Sequence, residues 1–415
     1  MSELHHRRDN CQLCSSSSLT LILSLAATPP ANAFVPKPEL ERNQPYFPLD
    51  VFQCEDCHHV QLVDVVDPSL LFENYVYVSG TSKVFVQHFE NYAETLNARF
   101  RPIADSLVVD IGSNDGTLLG FFKQQNYRVL GIDPAKRIAA NASASGFETL
   151  PSFFTPDLAK QIVAERGTAA IVTANNVFAH AEDLAAIAQG ITELLSPDGV
   201  FAFEVSYLVD VFENVLFDTI YHEHMAYHAT GPLRQFFIRT GLELFAAERV
   251  SSHGGSLRGY VQKAGGPHIA DGSVDALIDM EQKMGLDQSA TLKEFGSRID
   301  HLRDQFKREL QELIDAGNSI AGYGAPAKAT TLLHHFGIKP GTLDYIIDDS
   351  PLKQGLFSPG QHIPIVSSDI LSINPPDILV ILAWNFADAI IEKNTAFAEG
   401  GGRFLIPLPD VRLCP

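Results

Sequence analysis

Val108-Val-Asp-Ile-Gly-Ser-Asn-Asp-Gly-Thr-Leu-Leu119 decides the fold. The apolar run ending at Asp110 and Ile111 reads as a buried strand. Gly112 lets the chain turn tightly against a ligand, and the leucines open a helix. Asp110 precedes the glycines and Asp115 lies within the loop. A second apolar strand over 127–132 ends in Asp133, where an acid can accept both hydroxyls of a ribose. A third, over 169–174, ends in Asn175-Asn176, and a helix over 183–195 leads through Ser196-Pro-Asp-Gly199 into a strand over 200–205. Alternating strands and helices of this kind predict a doubly wound parallel sheet.

Two further units flank this sheet. Residues 1–71 contain four of the five cysteines and a proline-rich connection, with little helical periodicity, and read as a small zinc-binding domain of short strands. Residues 72–262 carry the parallel sheet. Residues 263–415 begin with a long amphipathic helical stretch over 275–316, read as long helices. A strand over 319–322, a glycine turn and a helix to residue 335 follow, then strands over 343–347 and 378–382. The fold class is therefore α/β multidomain, with a second Rossmann-like sheet at the C-terminus.

A chain of 415 residues fits two to four domains, and 45% apolar residues supply each with a core. Thirty basic residues against 50 acidic ones give a formal charge of −20, which repels polyanions and argues against nucleic acid as a partner. No apolar run reaches the ~20 residues of a membrane span, so no membrane partner is expected. The run over 19–27 with Ala31-Asn32-Ala33 imitates a secretory signal. Ser24 interrupts it, Pro29-Pro30 follow it, and cleavage there would discard half of the candidate metal ligands, so the cytoplasm is the expected location. A monomer or small homo-oligomer is expected.

The cysteines fall into two hooks, Cys11-x-x-Cys14 and Cys54-x-x-Cys57. Four thiolates so arranged make a tetrahedral Zn2+ site with no open position, hence a structural one. The loop between the hooks is longer than the commonest zinc spacings. His58 or His59 could replace a ligand, and four free thiols are the alternative.

Asp218-Thr-Ile-Tyr-His-Glu-His224 follows the strand over 200–205, beyond the carboxyl end of the sheet where open α/β proteins place chemistry. A histidine there suits removal of a proton beside a carbonyl. The usual zinc-protease helix spaces its histidines four apart, and here they are two apart. A hydrogen-bonded structural cluster is the other reading. Asn176-x-x-x-His180, at another strand end, would face the cofactor or the substrate, or only cap a loop. His253-Gly-Gly-Ser-Leu-Arg258 offers exposed N–H groups and a guanidinium for an anion, or a hairpin turn. Gly322-Tyr-Gly-Ala-Pro-Ala-Lys328 places a lysine at a helix start, which suits a phosphate. A glycine turn without any ligand is equally open there.

The first loop resembles the D-x-G-x-x-x-G loop of class I methyltransferases. The resemblance implies that Gly112 approaches the amino-acid part of S-adenosylmethionine and that Asp133 holds its ribose. Asp110, Asn114, Asp115, Asn175 and Asn176 are the remaining implied cofactor contacts. A dinucleotide site would prefer a glycine where Asn114 stands, and a tight turn without ligand is the other alternative. Across nearly its whole length the chain resembles the deoxysugar C-methyltransferases, which act on nucleotide-linked 4-keto-6-deoxy sugars. The resemblance runs through the cysteine hooks with Thr28-Pro-Pro-Ala-Asn32-Ala-Phe34, Tyr75-x-Tyr77-x-Ser79, Tyr221-His-Glu-His224, His253 to Arg258 and Gly322 to Lys328. Tyr227-His228 stands where Tyr-Phe is commoner.

That family implies transfer of a methyl group to C3 of the sugar through an enolate, in a cleft between three domains. His224 would be the base, and Tyr221, Glu223, His180 and Tyr75 would orient it or donate hydrogen bonds to the oxygen. Tyr77, Ser79, His253, Arg258 and Lys328 would contact the sugar nucleotide. The rival functions are O-methylation and an NAD-dependent oxidoreductase built on the C-terminal glycine turn.

Overall fold

Strand Leu107–Ile111 is buried along its whole length inside a seven-stranded sheet. The sheet runs Leu242–Val250, Ser256–Lys263, Leu195–Ser206, Ala169–Asn175, Leu107–Ile111, Arg128–Ile132, Thr149–Leu150. The last five strands are parallel, and Ser256–Lys263 is antiparallel to both of its neighbours. From Leu107–Ile111 the chain winds outward to one edge, then returns to the other side at Ala169–Asn175. The strand order reverses there, and the two diverging connections leave a crevice at the carboxyl ends of the strands. The computed structural model describes residues 4–72, 80 and 83–415, apart from the side chains of Ser69, Phe72, Lys83 and His253.

The C-terminal unit repeats the device. Its sheet runs Ile365–Val366, Ile346–Ile347, Ile320–Tyr323, Ile378–Ile381, Arg403–Ile406, Arg412–Cys414, parallel except for the last pair. In the first sheet the Gly112 amide donates to the Ile132 carbonyl at 2.7 Å, and in the second the Gly324 amide donates to the Ile347 carbonyl at 2.7 Å. Each strand carbonyl precedes an aspartate, Asp133 or Asp348, that accepts a backbone N–H from the opposing turn (Asn114 at 2.9 Å, Ala325 at 2.7 Å). The expected strand over 343–347 is shorter, Ile346–Ile347.

The helical stretch over 275–316 is two long helices, Ser273–Lys283 and Ser289–Asp315. Gly285 breaks it with a φ of 70°, a left-handed conformation that ends a helix. In the second helix Leu292, Phe295, Ile299, Leu302, Phe306, Leu310 and Leu313 are buried, the three- and four-residue spacing of one face. Among the described residues no helix is long and apolar enough to cross a membrane.

The N-terminal unit has longer strands than its composition suggested. Leu19–Thr28, Phe47–Cys54, Val60–Leu62 and Ala226–Tyr227 form one antiparallel sheet. Its fourth strand comes from far along the chain, directly after His224. The four cysteine Sγ atoms lie within 4.8 Å of one another. Cys11 and Cys57 approach to 3.5 Å, as do Cys14 and Cys54. Tetrahedral zinc with bonds of about 2.3 Å needs sulfurs about 3.8 Å apart, so the four thiols fit the ion. His59 lies outside this group, buried and stacked on His228 with ring centres 5.4 Å apart.

Elemental analysis is expected to find one zinc per chain. Cys54→Ser should release it and lower Tm by about 5 °C or more, since a closed thiolate site contributes directly to folding. Full zinc occupancy and unchanged melting in that variant would refute the ligand set.

Candidate active site

A cleft of about 1860 Å³ lies where the three units meet. The parallel sheet contributes Asp110, Gly112, Asn114, Asp115, Asp133, Asn175 and Asn176 to its wall. Gly112 has a φ of 73°, and a Cβ there would sit 2.2 Å from Val177, so no other residue fits the turn. Both oxygens of Asp133 receive backbone N–H bonds, from Asn114 and from Ala135 at 2.9 Å each. A carboxylate has about four acceptor sites, so capacity for further donors remains. Asp110 accepts the Thr173 hydroxyl at 2.6 Å. Its burial, reinforced by Asp133 nearby, pushes its pKa up to about 7.

Asp115 is more committed than the sequence implied. It accepts the Thr117 amide and hydroxyl, starting the helix Thr117–Gln124, and the Gly80 amide at 2.8 Å. Asn175 is the reverse case. Both atoms of its amide group are buried and lack a hydrogen-bond partner among the described residues. A buried unpaired amide at a cleft wall calls for a polar ligand. With Asp133 across the turn, these residues fit the ribose and amino-acid groups of S-adenosylmethionine.

The second half of the cleft holds His180, Tyr221, Glu223 and His224. His224 Nδ1 lies 2.8 Å from the Thr219 carbonyl, which can only accept. Nδ1 therefore carries the hydrogen, and in the neutral ring Nε2 accepts from the Tyr221 hydroxyl at 2.9 Å. The His180 ring stacks on His224 with centres 4.9 Å apart. Glu223 is buried and accepts the Asn32 amide at 2.9 Å through Oε1. Burial pushes its pKa up to about 7, against the opposing pull of that hydrogen bond. His222 turns the other way. Its Nε2 lies 3.2 Å from the Pro48 carbonyl, its ring packs on Phe47, and burial lowers its pKa to about 4.

Three expected residues, Tyr75, Tyr77 and Ser79, and the side chain of His253 lie outside the described residues. Lys328 lines the cleft. Its ammonium is 3.5 Å from buried Asp218 and 4.0 Å from the centre of the Trp384 ring. Arg258 is a correction. It does not reach the cleft wall, because its guanidinium bonds Glu204 at 2.7 Å and lies over Tyr92. Glu204 in turn holds His88 at 2.8 Å, and His88 does line the cleft.

Sequence reasoning missed Asn32, Asp218 and His88. Asn32 and Asp218 stood inside stretches already singled out, whereas nothing local marks His88, on helix Lys83–Phe100.

Three protein families match the chain. A zinc binding domain covers residues 11–72, a methyltransferase domain 85–247, and a C-methyltransferase C-terminal domain 251–409. The C-methyltransferase NovU of Streptomyces niveus is 34% identical over 413 residues, spanning 100% of this chain and 98% of that protein. Among solved structures, magnesium protoporphyrin IX methyltransferase of Synechocystis PCC 6803 aligns with 43% of this chain and 83% of its own, at 16% identity and a TM-score of 0.34. A SAM-dependent methyltransferase from Anabaena variabilis aligns with 43% and 94%, at 16% identity and a TM-score of 0.33.

The raised pKa of Glu223 has a consequence for stability. Between its ordinary value of 4.5 and about 7, the folded chain keeps this proton and the unfolded chain releases it. The contribution is full below pH 4.5 and is lost as pH rises toward 7, by on the order of 3 kcal/mol. Glu223→Gln should therefore lose less stability across that window, as Tm measured from pH 4.5 to 7.5 will register. Asp110 acts with the same sign and remains in the variant. Identical pH slopes in both proteins would contradict a carboxyl buried in its neutral form.

Proposed function

This chain belongs to the S-adenosylmethionine-dependent C-methyltransferases, and from that premise we propose that it methylates C3 of a nucleotide-linked 4-keto-6-deoxy sugar. The observation that carries the reading is the Tyr221–His224 pair, in one cleft with the cofactor residues Asp110, Asp133 and Asn175. When bound, S-adenosylmethionine supplies an electrophilic methyl group, and the acceptor must be made electron-rich. A hydrogen on a carbon beside a ketone can be removed by a base, leaving an enolate. Carbon, unlike a hydroxyl oxygen, needs that help before it can accept a methyl.

The residues divide this work. Tyr221 and His224 Nε2 share one proton, and proton abstraction is assigned to this pair with Nε2 as the final acceptor. The Thr219 carbonyl stabilises the imidazolium through Nδ1–H. Glu223 Oε1 already accepts Asn32, so a neutral Glu223 carries its hydrogen on Oε2 and can donate it to the developing enolate oxygen. His180, stacked on His224, restricts the ring's orientation.

Cleft size supports two ligands at once. Pockets for one small molecule measure roughly 300–1,000 Å³, and this cleft is about 1860 Å³. Lys328 and Lys353 line its C-terminal side, each paired with an aspartate (Asp218 at 3.5 Å, Asp348 at 3.6 Å), and their ammonium groups are the donors we assign to a diphosphate.

The test is a panel of 4-keto-6-deoxy sugar nucleotides incubated with S-adenosylmethionine and read by mass, with NMR locating the new methyl. A methyl on C3 is expected, and one on oxygen would reject the proposal. His224→Ala should lower kcat by at least about 10²-fold while leaving S-adenosylhomocysteine affinity nearly unchanged. Full activity of that variant would end the base assignment.

A further inference from the structure

The segment carrying the acid–base residues is gripped from the C-terminal unit by Lys328, at the cleft wall, and by Thr331 and Trp384, which do not line the cleft. Helix Ala327–His335 packs across it. The Thr331 hydroxyl donates to the Ile220 carbonyl at 2.8 Å, and both groups are buried. Asp218, fully buried, accepts the Trp384 indole N–H at 2.6 Å and sits 3.5 Å from the Lys328 ammonium. Thr219 lies between these two anchors, and its carbonyl holds the Nδ1–H of His224. The same helix reaches the other arm of the site. Thr330 donates to the Ala31 carbonyl at 3.0 Å, one residue before the Asn32 that holds Glu223.

We propose that Thr331 and the Asp218–Lys328–Trp384 group are positioning residues that fix the tautomer and orientation of His224 by clamping the Thr219 carbonyl from both sides. The proposal rests on the assignment of His224 as the base. Neither Thr331 nor Asp218 lines the cleft, so neither needs to touch a ligand to act. The physical link is short. If Ile220 loses its donor, the backbone at 219–220 can rotate, because a buried carbonyl seeks another partner. The Thr219 carbonyl moves with it, and Nδ1 loses the acceptor that keeps the hydrogen off Nε2. A ring protonated at Nε2 instead of Nδ1 can no longer take a proton there. The C-terminal unit thereby sets the state of a base that belongs to another unit.

The experiment uses the full chain labelled with 15N-histidine, with the His224 signals assigned by their loss in His224→Gln. Wild-type protein is expected to show His224 as the Nδ1–H tautomer. Thr331→Val should convert a measurable share to Nε2–H and lower kcat about tenfold on the acceptor found by the mass screen, with S-adenosylhomocysteine affinity within about twofold of wild type. Thr331→Ser, which keeps the hydroxyl, should restore both the tautomer and kcat. An unchanged tautomer in Thr331→Val overturns the positioning role, as does a failure of Thr331→Ser to restore it. A changed tautomer with unchanged kcat leaves the clamp in place but removes the base assignment, which separates the two ideas.

Discussion

The proposed acid–base site depends on one stretch of backbone, from Phe217 to Tyr227, being fixed from two sides. On one side Ala226–Tyr227 is the fourth strand of the zinc unit's sheet, and the Met225 carbonyl accepts the Leu62 amide at 2.8 Å. On the other side Asp218 and the Ile220 carbonyl are held by the C-terminal unit. Between these anchors Tyr221, Glu223 and His224 face the cleft while His222 packs away from it. A segment with only short 3-10 and strand pieces of its own cannot hold three side chains in place by local hydrogen bonding. Contacts from outside must do so, and here they come from two other units.

Charge burial follows from that placement. Asp110 and Glu223 both sit where water is scarce, and both carboxyls rise to about 7. Among the described residues each has one neutral hydrogen-bond donor, Thr173 or Asn32, and no cation close enough to restore an ordinary acidity. Glu204 shows the contrast. It is just as buried, yet Arg258 and His88 hold its pKa below the usual value against that burial. Partner type, more than depth, separates these carboxyls. The arrangement costs stability near neutral pH, which is common where a site keeps a group ready to give or take a proton.

Much was legible in the sequence because some motifs are local. The Val108–Leu119 turn, the acid after the next strand and the two cysteine hooks are each set by a few neighbouring residues. The left-handed turn favours glycine at 112, and the C-x-x-C spacing brings the two thiols of each hook near each other. Arg258 misled because an arginine beside glycines is consistent with anion binding, whereas its real partner, Glu204, stands on the neighbouring strand at a register that only sheet pairing reveals. Where the long helical stretch divides was not legible, because Gly285 is one residue in an otherwise continuous amphipathic pattern.

The sequence by itself determined the α/β class, the four clustered cysteines as a set, the glycine turn after the first sheet strand and the cluster from Tyr221 to His224. These follow from spacing along the chain, which is what a sequence records. The tertiary structure decided what those side chains face. It turned His222 away from the cleft, gave Glu223 its partner Asn32 from the zinc unit, and set the His224 hydrogen on Nδ1 through Thr219. It also brought Asp218, Lys328 and Trp384 together from distant parts of the chain. Protonation state and hydrogen-bond direction depend on burial and on neighbours in space, and neither quantity is written in the order of residues.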